Sequence, residues 1–372
     1  VVYQQARELL RRGHQVTIYC TNLLNKKQKI YPTTRKIDYE GIRVLYFNTW
    51  NIPAWPGTLG PFWLPDLPGF LARDIANYDV VHLEGYRSTM MAVVAQTAHK
   101  AGVPIVTQPQ GTLPVIVSSF FLKRFYDTLI GRQELKWISA LIALQEKERS
   151  DAIMQGVPAA KIEVIPNGID ASERANLPEP GCFRHSYGID PNCPLILSIG
   201  RINKIKGTDM LVRAFAKMER LNAHLVIAGP DDGLLSEVKA LIKALKIGDQ
   251  VTLAGLISDQ DKLAAFVDAD LFVLPSRSDA FPTTIMEACM VGTPMVITDC
   301  CASAYLVKDR IADVTPFDAD AFASAMGWLL TDEERYTRYR HNCQEMLNGT
   351  FSIEAVVDRL EAVYRRLAVE KA

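Results

Sequence analysis

Short runs of β-branched and apolar residues alternate along this chain with segments whose apolar positions recur every three or four residues. That is the pattern of strands interleaved with helices. In the first half the strand-like runs are 14–20, 42–47, 79–84, 104–107, 139–144 and 161–166. The chain opens inside a helical pattern: Val2, Ala6, Leu9 and Leu10 share a face, and Arg11-Arg12-Gly13 closes it. Further helices are predicted over 90–101, 121–130 and 147–155. Strands that alternate with helices pair in parallel β-α-β units. One stretch breaks the rhythm. Between Trp50 and Phe70 five prolines are interleaved with tryptophan and phenylalanine, which predicts a long loop of the kind that carries function in compact domains.

Pro166-Asn167-Gly168-Ile169-Asp170 is a turn signal, and the polar, proline-containing stretch 171–194 follows it. A domain boundary is placed there, giving a first domain over 1–172 and a second over 173–352. The second half restarts the alternation more cleanly. Strands are predicted at 194–200, 223–229, 251–255, 271–276 and 294–299, with helices at 208–220, 234–246, 260–268, 285–291 and 319–330. This makes a doubly wound α/β unit. The terminal segment 353–372 is a separate amphipathic helix, with Val356, Val357, Leu360, Val363, Tyr364 and Leu367 on its apolar stripe.

Composition adds exclusions. A length of 372 residues suits two cores rather than one. A net charge of -1 argues against nucleic acid as a partner. The seven cysteines are scattered and form no C-x-x-C pair, so neither a zinc site nor a disulfide framework is expected, and a reducing cytoplasm is the simplest setting. No apolar run reaches membrane-spanning length, and no secretory leader opens the chain. The first residue is not methionine and already lies within a helical pattern, so a preceding segment is expected.

Open parallel sheets bind ligands beyond the C-terminal ends of their strands, so candidate residues are sought there. After the first strand of the second domain comes Gly200-Arg201-Ile202-Asn203-Lys204-Ile205-Lys206-Gly207. Two cations on a glycine-flanked turn suit a diphosphate; the alternative is a solvated basic turn. After the strand ending at Ser276, Asp279 lies on a loop and Glu287 follows at the start of a helix. Backbone N–H groups there suit phosphate or sugar oxygens, and a carboxylate can accept from ribose hydroxyls. Thr284-x-x-Glu287 also reads as a capping box, in which Glu287 serves only the helix.

Taken together, Gly200-Arg201…Lys206-Gly207, Ala228-Gly229-Pro230, Asp279-x7-Glu287 and Gly292-Thr293-Pro294 resemble family-4 glycosyltransferases over nearly the whole chain. The resemblance implies the GT-B fold: two facing Rossmann-like domains, with a C-terminal helix crossing back to the first. It implies a retaining, hexosyl-type transferase that moves sugar from a nucleoside diphosphate sugar without a bound metal or other cofactor. By position, Arg201 and Lys206 would hold the diphosphate and Glu287 the ribose. Asp279 stands where the family usually has glutamate, near the transferred sugar. Gly200, Phe281, Pro282 and Thr283 would present backbone to the donor, and Gly229 and Leu256 would line the base. The acceptor would be a glycan, lipid-linked or small molecule, as in polysaccharide biosynthesis.

Three departures stand out. The family's opening strand and glycine-rich loop would precede Val1. Gln110, followed by Gly111, stands where relatives have histidine, and glutamine cannot take a proton. His82-Leu83-Glu84 replaces a His-Leu-His, leaving His82, Glu84, Arg87, Gln110 and Gly111 as acceptor-side candidates. His82 alternatively packs inside the sheet, and Glu84 and Arg87 alternatively pair with each other. Phe120–Phe125 with Arg132 and Lys136 mixes basic and apolar residues, suiting either peripheral contact with an anionic membrane or a helix packed on the sheet. Two further functions share this architecture: nucleotide-sugar epimerisation, and sugar-nucleotide binding without catalysis.

Overall fold

The computed structural model describes residues 1–24, 28–51, 62–114, 120–218 and 222–371; side chains of residues 51, 62, 120–122 and 173 are outside the description. The chain divides into two compact units, Val1–Gly168 with Ile353–Ala372, and Ile169–Ser352. Among the described residues no helix is long and apolar enough to cross a membrane.

The second unit is built around one parallel sheet. Its strands, numbered after the seven longer strands of the first unit, are β8 (Leu195–Ile199), β9 (His224–Ala228), β10 (Val251–Gly255), β11 (Leu271–Leu274), β12 (Met295–Thr298) and β13 (Ala312–Thr315). They lie in the order β10-β9-β8-β11-β12-β13. Leu271–Leu274 and Met295–Thr298 are buried on both faces, as expected where helices cover both sides. Two features escape the hydrophobic pattern. Strand β13 reads Ala-Asp-Val-Thr, and helix Glu333–Asn348 is largely polar, yet Tyr339, Cys343, Met346 and Leu347 on that helix are buried.

The first unit holds two separate sheets. One orders β1 (Thr17–Thr21), β3 (Ile42–Phe47) and β2 (Arg35–Tyr39) as β1-β3-β2, with β2 antiparallel. The other runs β4 (Val81–Glu84), β5 (Ile105–Gln108), β6 (Ala140–Ala143) and β7 (Ile162–Val164), all parallel. Between the edges of β1 and β4 lies a cavity of about 240 Å³, walled by Ala6, Ile18, Leu71, Val81, Met91 and Val94 among others. Of the expected loop between Trp50 and Phe70, residues 52–61 lie outside the described residues. Its flanks, Trp50–Asn51 and Phe62–Trp63, pair as a short antiparallel ribbon, and a helix already begins at Leu67.

The terminal helix Ile353–Lys371 belongs to this first unit. Its Val356, Leu360, Val363 and Leu367 pack against Val106, Ala140, Ile142 and Ile165. Its polar edge is tied down as well: Arg12 pairs with Asp358 and Glu361, and Arg366 with Glu163 at 3.2 Å.

Candidate functional site

The strand order of the second unit fixes where a ligand can sit. Chain order runs outward from β8 in one direction to β10, then restarts at β11 and runs the other way. The loops leaving β8 and β11 therefore diverge, opening a crevice at the C-terminal ends of neighbouring strands. The register Ile196↔Leu271 and Leu197↔Phe272 holds those two strands side by side. Residues 73 positions apart meet there: Lys206 Nζ donates to Asp279 Oδ2, with the two side chains 25% and 14% exposed.

Arg201 lies on the same turn but in a wetter setting. Its Nη1 is 2.8 Å from Asp232 Oδ2, and the side chains are 58% and 46% exposed. Asn203 ties the turn together. It donates to Asp232 Oδ2 at 2.8 Å and accepts from the Lys206 backbone N–H at 2.8 Å. Both candidate phosphate ligands are thus held by carboxylates that an incoming anion would displace or share.

Two glycines make this approach of backbones feasible. Gly229 has φ +147, and a Cβ there would lie 1.9 Å from the Gly200 carbonyl oxygen. Gly207, at φ +69, would meet the Pro275 carbonyl oxygen at 1.9 Å. No side chain fits either place. Beyond β10, Gly255 turns the chain and leaves Leu256 80% exposed, an apolar surface at the strand end.

Helix Thr283–Val291 starts at the β11 side of the crevice. Its N-cap is Pro282, and no side chain caps it. Phe281 and Pro282 are buried and Thr283 is exposed. The Phe281 ring packs edge-on against Phe351, with centroids 6.2 Å apart, which anchors the loop through its side chain. The capping-box alternative for Glu287 does not hold. With Pro282 as the N-cap, Glu287 sits two residues beyond the N3 position, and its carboxylate pairs with Lys262 Nζ at 3.1 Å. Burial lowers the Lys262 pKa, but the Glu287 and Asp259 carboxylates outweigh it and hold the ammonium above the ordinary lysine value.

Lys262, Asp232 and the Arg277–Asp209 pair at 2.8 Å were missed by sequence reasoning. Burial pushes Asp209 up, but hydrogen bonds from Arg277 outweigh it and hold the carboxyl below its usual range. Asp232 follows the end of β9, so the strand-end rule could have found it. Lys262 reaches Glu287 from a neighbouring helix, and no local pattern announces that contact.

The first unit treats its candidates differently. His82 is half-buried, its Nδ1 2.5 Å from the Tyr364 hydroxyl on the terminal helix, and desolvation holds its pKa below the ordinary imidazole value. It is packed within the unit. Glu84 and Arg87 do not pair. Glu84 accepts from Gln110 Nε2 at 2.9 Å, and Gln110 accepts from Asn167 at 3.0 Å. Arg87, 5% exposed, grips Asp127 through two 2.8 Å bonds and donates to the Leu113 carbonyl at 2.7 Å. Gln110 and Gly111 both adopt positive φ, +54 and +75. The Gly111 N–H donates to Glu148 Oε1 at 2.6 Å. Glu84, Gln110 and Asn167 therefore form one polar cluster at the ends of β4, β5 and β7; His82 borders it, its Nε2 3.9 Å from Glu84 Oε1, while Arg87 lies outside it.

Two family models match this chain, one to each half. Residues 183–346 match glycosyl transferases group 1, and residues 1–168 match the glycosyl transferase 4-like domain. The D-inositol 3-phosphate glycosyltransferase of Kineococcus radiotolerans is 23% identical over 100% of this chain and 90% of its own length. Among solved structures, a glycosyltransferase from Rickettsia africae superposes with a TM-score of 0.76 at 19% identity, covering 98% of this chain and 93% of that one. HepE from Anabaena in complex with UDP-glucose gives 0.70 at 19% identity, covering 88% and 86%.

Proposed function

The chain belongs to the glycosyl transferases group 1 and has the GT-B fold, and from that premise we propose a specific reaction. A sugar passes from a nucleoside diphosphate sugar to a glycan, lipid-linked or small-molecule acceptor, with retention of anomeric configuration and without a metal ion. The observation that carries this reading is the meeting of Lys206 and Asp279 at the mouth of the β8–β11 crevice. A solved relative bound to UDP-glucose supports this donor class.

In this reading Lys206 and Arg201 take the charge that grows on the leaving diphosphate, the role a metal plays elsewhere. The backbone N–H groups opening helix Thr283–Val291 add to it. Glu287 accepts from ribose hydroxyls, with Lys262 holding its carboxylate in place. Leu256 and Gly229 flank the base. The bond from the anomeric carbon to phosphate oxygen breaks as the acceptor oxygen bonds from the same face. The acceptor's proton leaves on that phosphate oxygen. Asp279 orients Lys206 beside the sugar.

Calorimetry with UDP-glucose and other nucleoside diphosphate sugars tests the reading. Lys206→Ala removes a charge-assisted contact worth roughly 1.5–3 kcal/mol, so affinity should fall about 10–150-fold. Donor binding unchanged in both Lys206→Ala and Arg201→Ala would remove the diphosphate role. The product's anomeric configuration by NMR, and turnover with and without chelator, check retention and metal independence separately.

A further inference from the structure

Two tryptophans of the first unit take no part in the donor chemistry. Trp50 lies three residues beyond the C-terminal end of β3, the end at which parallel sheets bind ligands. It pairs directly with Trp63 across the short antiparallel ribbon. Opposite residues of an antiparallel pair project from the same face. The two indoles therefore sit side by side, and they are 62% and 63% exposed.

The ribbon beneath them is anchored. Phe62–Trp63 rests against helix Thr89–Lys100, which follows β4. Leu64, the next residue, is buried in the core that holds Val94 and Ala95 of that helix. Rings as large as indole normally gain from burial. Exposed apolar residues scattered singly need no explanation, whereas a matched pair of tryptophans on an anchored ribbon marks a contact surface.

The flanking residues select the ligand. Thr34 Oγ1 accepts from the Asn48 backbone N–H at 2.9 Å and donates to Asp66, which ties together the two arms that carry Trp50 and Trp63. Lys29 Nζ donates to Asn48 Oδ1 at 2.8 Å. Lys29 and Asp66 are exposed and Asn48 is half-buried. The aromatic pair is thus flanked by an ammonium, an amide and a carboxylate.

A pyranose ring has the complementary layout. Its faces carry C–H groups with partial positive charge, which suit the negative face of an indole. Its edge carries hydroxyls, which suit the flanking donors and acceptors. An acyl chain or an apolar peptide would make no use of those polar groups. Leu24 and Ile30 are exposed on the loop that carries Lys29, so an apolar partner is the competing occupant.

We infer that Trp50 and Trp63 form a stacking platform for a sugar ring of a glycan acceptor. The acceptor role rests on the transferase reading above, and the platform narrows the acceptor to one that already carries carbohydrate.

Binding of the full chain to arrayed oligosaccharides of glucose, galactose, mannose, rhamnose and N-acetylhexosamines tests it, followed by calorimetry on those that bind. At least one oligosaccharide should bind. Trp50→Ala with Trp63→Ala should weaken that binding about tenfold or more. Trp50→Phe with Trp63→Phe keeps an aromatic face and should stay within about threefold of wild type. Trp50→Leu with Trp63→Leu keeps apolar surface without a π face and should lose as much as the alanine pair. Trp328→Leu removes an exposed indole from the second unit and should leave binding within about twofold. Unchanged melting shows that each variant is folded. A leucine pair that binds like wild type would overturn the inference in favour of a plain hydrophobic contact. An array without a bound oligosaccharide, or binding indifferent to the alanine pair, would overturn it outright. Calorimetry with UDP-glucose and other nucleoside diphosphate sugars is read separately. If donor binds and glycan does not, the platform falls and the transferase reading stands. Tryptophan-dependent glycan binding with no donor binding would keep the platform and remove its acceptor role.

Discussion

The two units solve the same α/β problem to different degrees. The second closes its strands into one six-stranded sheet, and the crevice at its centre brings together side chains from five separate loops and helices. The first leaves its strands in two sheets with a cavity between their edges. Most buried polar atoms without a hydrogen-bond partner among the described residues are also there, His82 Nε2, Glu84 Oε1, Thr107 Oγ1 and Glu134 Oε1 among them. Such atoms carry an uncompensated desolvation cost. A continuous sheet over-determines its site, whereas a divided one leaves its polar groups to local arrangements. The first unit should therefore open first under denaturant, and the substitutions below test that contrast.

The largest effect should come from glycine. In Gly229→Ala the new methyl would lie 1.9 Å from a backbone oxygen at a φ of +147. Backbone cannot swing aside as a side chain can, so the loss should be about 3 kcal/mol or more. Gly131 in the first unit is the matched control. A Cβ there would lie 2.3 Å from the Tyr86 hydroxyl, the far end of a side chain that borders a cavity. Gly131→Ala should cost about 1 kcal/mol or less, since the helix gains propensity. Urea titrations read by hydrogen exchange in each unit would decide it. Equal losses would mean that backbone crowding at Gly229 is no tighter than side-chain crowding at Gly131.

Next in size is a pH effect confined to the first unit. Burial pushes the Glu134 carboxyl up to about 7, despite the hydrogen bond from Tyr126 at 2.9 Å. Between its ordinary value of 4.5 and about 7 the folded chain keeps a proton that the unfolded chain has lost. Stability from this group is thus present at low pH and is lost as pH rises through that window. The loss should be on the order of 3 kcal/mol. Glu134→Gln keeps an acceptor for Tyr126 and should flatten the slope, leaving the variant more stable than wild type at pH 8. In the second unit Asp209 is shifted down instead, so its contribution is present above the ordinary carboxylate range. Melting curves from pH 4 to pH 8 in which Glu134→Gln keeps the wild-type slope would remove Glu134 as the cause.

This contrast also explains what was legible. Parallel α/β architecture follows from apolar runs such as Leu271–Leu274, and the strand-end rule leads straight to Arg201, Lys206 and Asp279. Strand β2 was not legible, because Arg35–Tyr39 lies at a sheet edge with only its middle residue partly buried. The helix 121–130 was read as one regular element, and nothing in its spacing signals the π-helical turn over Asp127–Gly131. Long-range ion pairs such as Lys262–Glu287 and Arg87–Asp127 depend on which elements become neighbours. Strand order settles that, and local periodicity does not encode it.

The smallest effect concerns Glu287, where stability and binding can be separated. Its pair with Lys262 is partly buried, the side chains being 17% and 27% exposed, and Lys262 keeps Asp259 as a second partner at 3.5 Å. Losing the charge in Glu287→Gln should therefore cost only about 0.5–1 kcal/mol of stability. The amide can still accept from Lys262, so the helix and the crevice stay in place. A ribose hydroxyl loses more, because a charged acceptor becomes a neutral one and Lys262 competes for it. Donor affinity should fall about tenfold, and the drop should be absent for a ligand consisting of diphosphate alone. Lys262→Met supplies the converse. It leaves Glu287 charged but unanchored, so donor affinity should fall less than in Glu287→Gln. If both variants weaken UDP-glucose and pyrophosphate alike, Glu287 acts by shaping the loop that carries Asp279, and the ribose contact must be assigned elsewhere.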